Sequence, residues 1–194
     1  MLLYRYMVKA KQQKIEILQA GNPVLRKISV PLTINEIKSI KTKKLILELK
    51  KSIDSQSDAA AISAVQIGTP VRLFIISRKV FDTDLTDHST DKKKISKDLI
   101  FINPKIVRVS KMKQTLEEGC LSVRYVYGKV LRPEKVTIEA YDENCKKVSR
   151  GFSGLLSQIV QHENDHLNGI LFIDKATELQ KISPEEYEKM LKTL

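Results

Sequence analysis

Two of the three histidines in this chain stand four positions apart, in His162-Glu163-Asn164-Asp165-His166. On a helix, residues i and i+4 lie one above the other, so two imidazoles can reach a single metal ion. A glutamate next to the first ligand falls beside a metal-activated water rather than on the metal, where it can take a proton. Leu155 and Ile159 continue the same stripe, so the histidine face is expected to point inward. His88, in a polar stretch, reads as an ordinary surface histidine. A catalytic centre needs a third protein ligand and an open position, whereas a structural site closes with four. In the longer H-E-x-x-H-x-x-G-x-x-H pattern Gly169 is in place, but Phe172 stands where the third histidine belongs, which excludes it. Five candidates remain: Glu178, Glu185, Glu186, Cys120 and Cys145. Glu185 and Glu186 sit at an expected helix N-terminus, where the helix dipole accounts for them. Cys145 falls in a polar turn and reads as exposed, while Cys120 follows Gly119, where unusual backbone geometry is available. Residue types and spacing leave the third ligand open.

The helix that must present this pair is expected over 151–169, after a hairpin formed by 134–142 and 146–152 around Asp142-Glu143-Asn144. Thr33-Ile34-Asn35-Glu36 is a capping box that opens a second helix to about Ser55, with Ile37, Ile40, Leu45, Leu49 and Ile53 at helical spacing. The β-branched runs 71–77 (VRLFIIS) and 99–109 (LIFINPKIVRV) predict strands, and the polar 82–98 between them an exposed loop. Gly21, Asn22, Pro23 and Pro31 make 15–32 loop-rich. Ser183-Pro184-Glu185-Glu186 opens a short last helix. Strands grouped around one central helix give an α+β fold.

The chain's 194 residues suit a single domain spanning 1–194 with a proper core, and 42% hydrophobic residues exclude disorder. No run approaches the ~18 apolar residues of a spanning helix. The apolar start, MLLYRYM, is interrupted by Arg5 and too short for a signal-peptide core. Two cysteines make no disulfide framework. A soluble, cytoplasmic protein without membrane partners is expected. The 34 Lys+Arg against 23 Asp+Glu leave a net charge of +11. That charge is uneven: 1–113 carry 23 basic and 10 acidic residues, a net of +13, and 114–194 carry 11 and 13, a net of −2. With 26 Lys to 8 Arg and 21 Ile, the excess reads as AT-rich coding bias, since phosphate readers favour arginine and single-strand binders interleave aromatics. No sequence-specific nucleic-acid binding is expected.

Three segments together resemble the peptide deformylase family: 59–68 (AAAISAVQIG), 118–122 (EGCLS) and 161–169 (QHENDHLNG). The likeness runs from about Ile15 to Asp174 and includes Asn22-Pro23-Val24-Leu25-Arg26. It implies antiparallel or mixed sheets surrounding the H-E-x-x-H helix, with a helix in the N-terminal half and a short one at the C-terminus. It also implies removal of the N-formyl group from the formyl-methionine of nascent polypeptides, with release of formate. The implied metal ligands are Cys120, His162 and His166, with water in the fourth position. The implied metal is Fe(2+), with Zn(2+), Ni(2+) or Co(2+) accepted. Glu163 would be the general base and acid, and the Gln66 side chain and Leu121 backbone N–H would donate to the oxyanion. Ala60, Ala61, Gly119, Leu155, Gln158 and Ile159 would contact the substrate. The chain departs from the family pattern in several places. Ala59 and Ala61 replace glycines, Ser63 and Val65 replace alanine and proline, Arg124 replaces a proline, and Gln158 takes a usually apolar position. Because the substrates emerge from a polyanionic ribosome, the basic surface, Lys92–Lys94 included, is expected to favour that encounter.

Overall fold

The computed structural model describes residues 15–82 and 97–192. The apolar start at 1–7, His88 and Lys92–Lys94 lie outside them. Thr33 accepts from the Glu36 backbone N–H and donates its own to the Glu36 carboxylate, forming the expected capping box. The helix it opens does not run to Ser55 unbroken. α1 (Ile34–Lys38) stops at Ser39, which is extended at φ −68° and ψ 155°, and whose hydroxyl caps α2 (Ile40–Asp54) by accepting from Thr42 N–H at 3.2 Å. A serine side chain competes with the helix for its own backbone, and here it wins.

One sheet is antiparallel throughout. Its strands are β1 (Ala61–Ser63), β2 (Leu73–Ile76), β3 (Leu99–Val109), β6 (Lys135–Tyr141) and β7 (Lys147–Ser153), in the spatial order β1-β2-β3-β6-β7. The other is a three-stranded antiparallel sheet of β4 (Lys113–Cys120), β5 (Val123–Pro133) and β8 (Thr177–Lys181), ordered β4-β5-β8. Both faces of β2 are covered, which explains its unbroken apolar run. Leu73 and Ile75 pack with Leu45, Leu49 and Ile53 of α2. Phe74 and Ile76 pack on the opposite face with Leu156, Ile159 and Val160.

Those three residues belong to α3 (Gly154–His166), the helix of the H-E-x-x-H. It starts later than the expected residue 151: Gly151–Ser153 still pair with Thr137–Lys135 as the end of β7. Three residues past its end Gly169, at φ +73°, turns the chain so closely past the N-terminal segment that an added Cβ would lie 2.5 Å from the Arg26 carbonyl oxygen. The Ser29 N–H donates to Leu167 O at 2.9 Å across the same junction. The hairpin around Asp142 forms as expected, but Cys145 is not exposed. It is half-buried at φ +63°, packed against the cluster that α2 covers. α4 (Pro184–Leu191) begins at the Ser183 cap. Among the described residues no helix is long and apolar enough to cross a membrane.

Candidate active site

Three elements converge beneath the small sheet. α3, anchored through Leu156, Ile159 and Val160, turns His162, Glu163 and His166 to one side. The end of β4 supplies Cys120. The 3-10 turn after β1, Ala64–Ile67, supplies Gln66. The Cys120 Sγ lies 3.2 Å from His166 Nε2, and the two imidazole rings stand edge to face with centroids 4.8 Å apart. Ligating atoms of Cys120, His162 and His166 all fall within 4.8 Å of one another. One sulfur and two imidazole nitrogens at this spacing suit a single Zn(2+)- or Fe(2+)-like cation with a position left open.

Behind these residues stands a chain of ion pairs. Glu118 Oε2 lies 2.9 Å from His162 Nδ1. With that nitrogen committed to the carboxylate, Nε2 is the lone pair left for a metal. Arg132 grips the same carboxylate with two hydrogen bonds, of 2.8 and 2.9 Å, and reaches Asp165 at 2.6 Å. Lys175 Nζ is 2.7 Å from both Asp165 oxygens. Burial pushes the Glu118 carboxyl up, but the bonds from His162 and Arg132 outweigh it and hold the pKa at about 2.

Burial also works against the Cys120 thiolate. The charge of His166 and the hydrogen bond from His162 override it and hold the thiol well below the ordinary cysteine range, which favours the form that ligates metals. His162 moves the opposite way: burial opposes its charge, yet Cys120 and Glu118 push its pKa well above the usual value. Burial raises Glu163, against the pull of His166, His162 and the Ser63 hydroxyl. A buried carboxyl raised in this way and facing both imidazoles is placed to accept and return a proton.

Ser63 ties the site together. Its hydroxyl donates to Glu163 Oε2 at 2.5 Å, and its backbone N–H donates to Gln66 Oε1 at 2.8 Å. Gln66 Nε2 then points at Ser122 Oγ, 3.1 Å away, and at Cys120 Sγ, 3.7 Å away. Leu121 sits at the β4–β5 turn, and its carbonyl accepts from Gln19 Nε2 at 3.1 Å.

The centre opens into a cleft of about 310 Å³. Ala60, Ala61, Gly119, Leu155, Gln158 and Ile159 all line it, together with Gln66, Cys120, Leu121, His162 and Glu163. A Cβ on Gly119 would meet the Tyr127 ring at 2.7 Å, so this wall admits only glycine unless the ring moves. Gln158 does not simply fill the pocket with a polar group; its amide donates to Glu117 O at 2.7 Å. The other third-ligand candidates are employed elsewhere. Glu178 pairs with Lys129, Glu186 closes the Ser183 capping box, Glu185 sits in the exposed first turn of α4 and Cys145 packs beside α2. Sequence reasoning missed the roles of Ser63, Glu118, Arg132, Asp165 and Lys175. Glu118 stands in the EGCLS segment, but its partner His162 is 44 residues away.

Residues 14–182 match the family profile described as polypeptide deformylase. The chain belongs to the polypeptide deformylase family. The peptide deformylase of Psychrobacter cryohalolentis is 38% identical over 181 residues, covering 92% of this chain and 88% of its own. Among solved structures, the Plasmodium falciparum peptide deformylase superposes with a TM-score of 0.71 at 32% identity, over 92% of this chain and 94% of that one. The actinonin-bound class I type b peptide deformylase of Acinetobacter baumannii gives 0.72 at 28% identity, over 84% of this chain and 98% of that one. As an α+β deformylase with two antiparallel sheets around α3, the chain has the expected fold class.

Proposed function

We propose that this chain removes the N-formyl group from the formyl-methionine of nascent polypeptides, using one divalent cation held by Cys120, His162 and His166. The observation that carries the reading is the convergence of these three side chains with Glu163 and Gln66 at one end of a peptide-sized cleft. A cation held by these three side chains would supply Lewis acidity to the formyl oxygen and to a bound water. The donor set suits Fe(2+), with Zn(2+), Ni(2+) or Co(2+) as substitutes.

The rest of the chemistry belongs to the protein's own groups. Glu163 takes a proton from the attacking water as it bonds to the formyl carbon. The Gln66 Nε2 and the Leu121 N–H donate to the oxygen that gains negative charge. As the C–N bond breaks, Glu163 returns its proton to the leaving nitrogen, giving formate and a free amine. The Ser63 hydroxyl keeps the Glu163 carboxylate aimed throughout. Substrate backbone has a place to lie. β1 is an edge strand, and because Ser77 N–H donates to Ala60 O on the β2 side, the alternation of strands turns the Ala61 backbone outward. An extended peptide can pair with that edge. The A. baumannii enzyme was solved with Met-Ala-Ser bound, a peptide of the length this edge suits.

The test is formate release from formyl-Met peptides by Fe(2+)-loaded protein without oxygen; metal-loaded protein that releases none overturns the reading. With Co(2+) in place, thiolate charge-transfer absorption that disappears in Cys120→Ser supports the ligand set. Its persistence excludes Cys120 as a ligand.

A further inference from the structure

The cleft reaches well beyond the groups the reaction needs. Asp58, Arg124, Tyr125, Tyr187 and Met190 also line it, the last two from the C-terminal helix α4. The two groups of lining residues flank β1. One is hydrogen-bonded to Ser63 at the end of the strand, and the other includes Asp58, three residues before its start.

A single arginine organises the outer group. Arg124 NH1 donates to Asp58 Oδ2 at 2.8 Å and to the Tyr187 hydroxyl at 2.5 Å, and its NH2 donates to Gln56 Oε1 at 2.7 Å. The Tyr187 hydroxyl also bonds Asp58. Tyr125 packs edge-on to the Tyr187 ring, with centroids 5.3 Å apart. The backbone is shaped to allow this. Gly119 pairs with Tyr127 but Cys120 pairs with Val123, so one step on β4 answers four on β5 and Arg124, Tyr125 and Val126 are left over. Within this bulge Tyr125 holds φ +64°, a region that L residues rarely adopt, and its carbonyl accepts from Ile182 N–H at 2.9 Å, just ahead of α4. Bulges beside active sites re-aim side chains, and backbone strain persists where the surroundings over-determine it.

The direction of a bound peptide follows from β1. With its formyl group between Gln66 and Glu163, a chain that follows the strand's outer edge runs antiparallel to it, back toward Asp58. At about 3.3 Å per residue its second and third residues lie opposite the stretch from Ala60 to Asp58. We infer that α4 is the wall those residues meet, that Tyr187 and Met190 select an uncharged apolar or aromatic side chain there, and that Arg124 is the positioning residue that holds the wall. The inference rests on the deformylase reading above. Asp58 and Arg124 neutralise each other, so nothing at this wall rewards a charged side chain, whereas the rings and Met190 reward an apolar one.

The test compares formyl-Met-Ala-Phe with formyl-Met-Ala-Asp by kcat/KM, and the products Met-Ala-Phe and Met-Ala-Asp by calorimetric affinity. The unaltered protein favours phenylalanine by about ten-fold or more in both measures. In Tyr187→Ala and Arg124→Ala that ratio falls to within about two-fold, carried by KM rather than kcat. Tyr187→Phe, which keeps the ring, retains most of it. A ratio that survives Tyr187→Ala, or a loss that strikes both peptides equally, overturns the proposal. If product affinities discriminate but no peptide yields formate, the deformylase reading fails and the wall stands. If formate forms without discrimination, the wall fails and the reading stands.

Discussion

Arg132 and Arg124 both grip a carboxylate with help from a second partner, yet they do different work. Arg132 is 3% exposed, clamped between Glu118 and Asp165 beside the three side chains that could hold a metal ion. Arg124 keeps 23% of its side chain exposed and joins Asp58, Gln56 and Tyr187 at the edge of the cleft. Removing one member of a buried pair strands the other charge out of water, whereas a partner left at the cleft edge can turn toward solvent. The inner cluster is therefore expected to govern the integrity of the centre, and the outer one the shape of its cleft.

The sharpest way to break this contrast is Glu118→Ala. It leaves Arg132 with Asp165 alone, at an expected cost of about 3–5 kcal/mol in a denaturant titration. It also frees His162 to rotate, so metal affinity falls about 10–100-fold in a competition titration. Lost affinity at unchanged stability would show that the inner cluster serves the ligand and not the fold. Next comes Gln66→Ala, which touches neither arginine. It is expected to lower kcat by about 10²–10³-fold at unchanged metal content, as for loss of an oxyanion donor. Arg124→Ala is expected to cost about 1–2 kcal/mol, less than Glu118→Ala, by the same denaturant titration. Equal costs would erase the distinction between the two clusters.

The smallest effect belongs to a third, outermost pair. Arg26 holds the Asp174 carboxyl below the usual carboxylate range, with 37% of the aspartate side chain exposed. A depressed carboxyl stabilises the fold above its unfolded pKa of ~4 and ceases to as pH falls through the folded value. Asp174→Asn should cost less than about 1 kcal/mol at pH 7, by thermal unfolding, and nothing once the pH is low enough to protonate Asp174.

The helix α3 was legible in the sequence because its pattern is local: His162, Glu163 and His166 stand within five residues. The same is true of the two capping boxes, at Thr33 and Ser183. The break at Ser39 was not legible, because Ile37 and Ile40 keep helical spacing across it while the serine side chain redirects the backbone. The β4–β5 hairpin went unseen although Val123, Tyr125, Tyr127 and Val130 are strand formers. β4 itself (KQTLEEGC) is mostly charged or polar and lacks an apolar alternation, and only its pairing with β5 defines it. β8 is exposed at all five positions and carries no periodic signal at all. The carboxylate partners of Arg132 and Arg124 were not legible in the sequence, since they are settled by strand register and by a bulge.

Ser63 and Glu163, which share a hydrogen bond, are 100 residues apart, and this has a consequence for how the molecule comes into being. As the chain is synthesised, β1 through β7 emerge before α3 does. Until then Phe74, Ile76, Phe101, Ile138 and Phe152 have no helix to cover them. A half-covered sheet is a sticky intermediate, and contacts this distant in sequence form slowly. The segment that carries the H-E-x-x-H is thus also the shield of this part of the core. A substitution that delays its docking endangers the newborn chain through aggregation before catalysis is ever at issue.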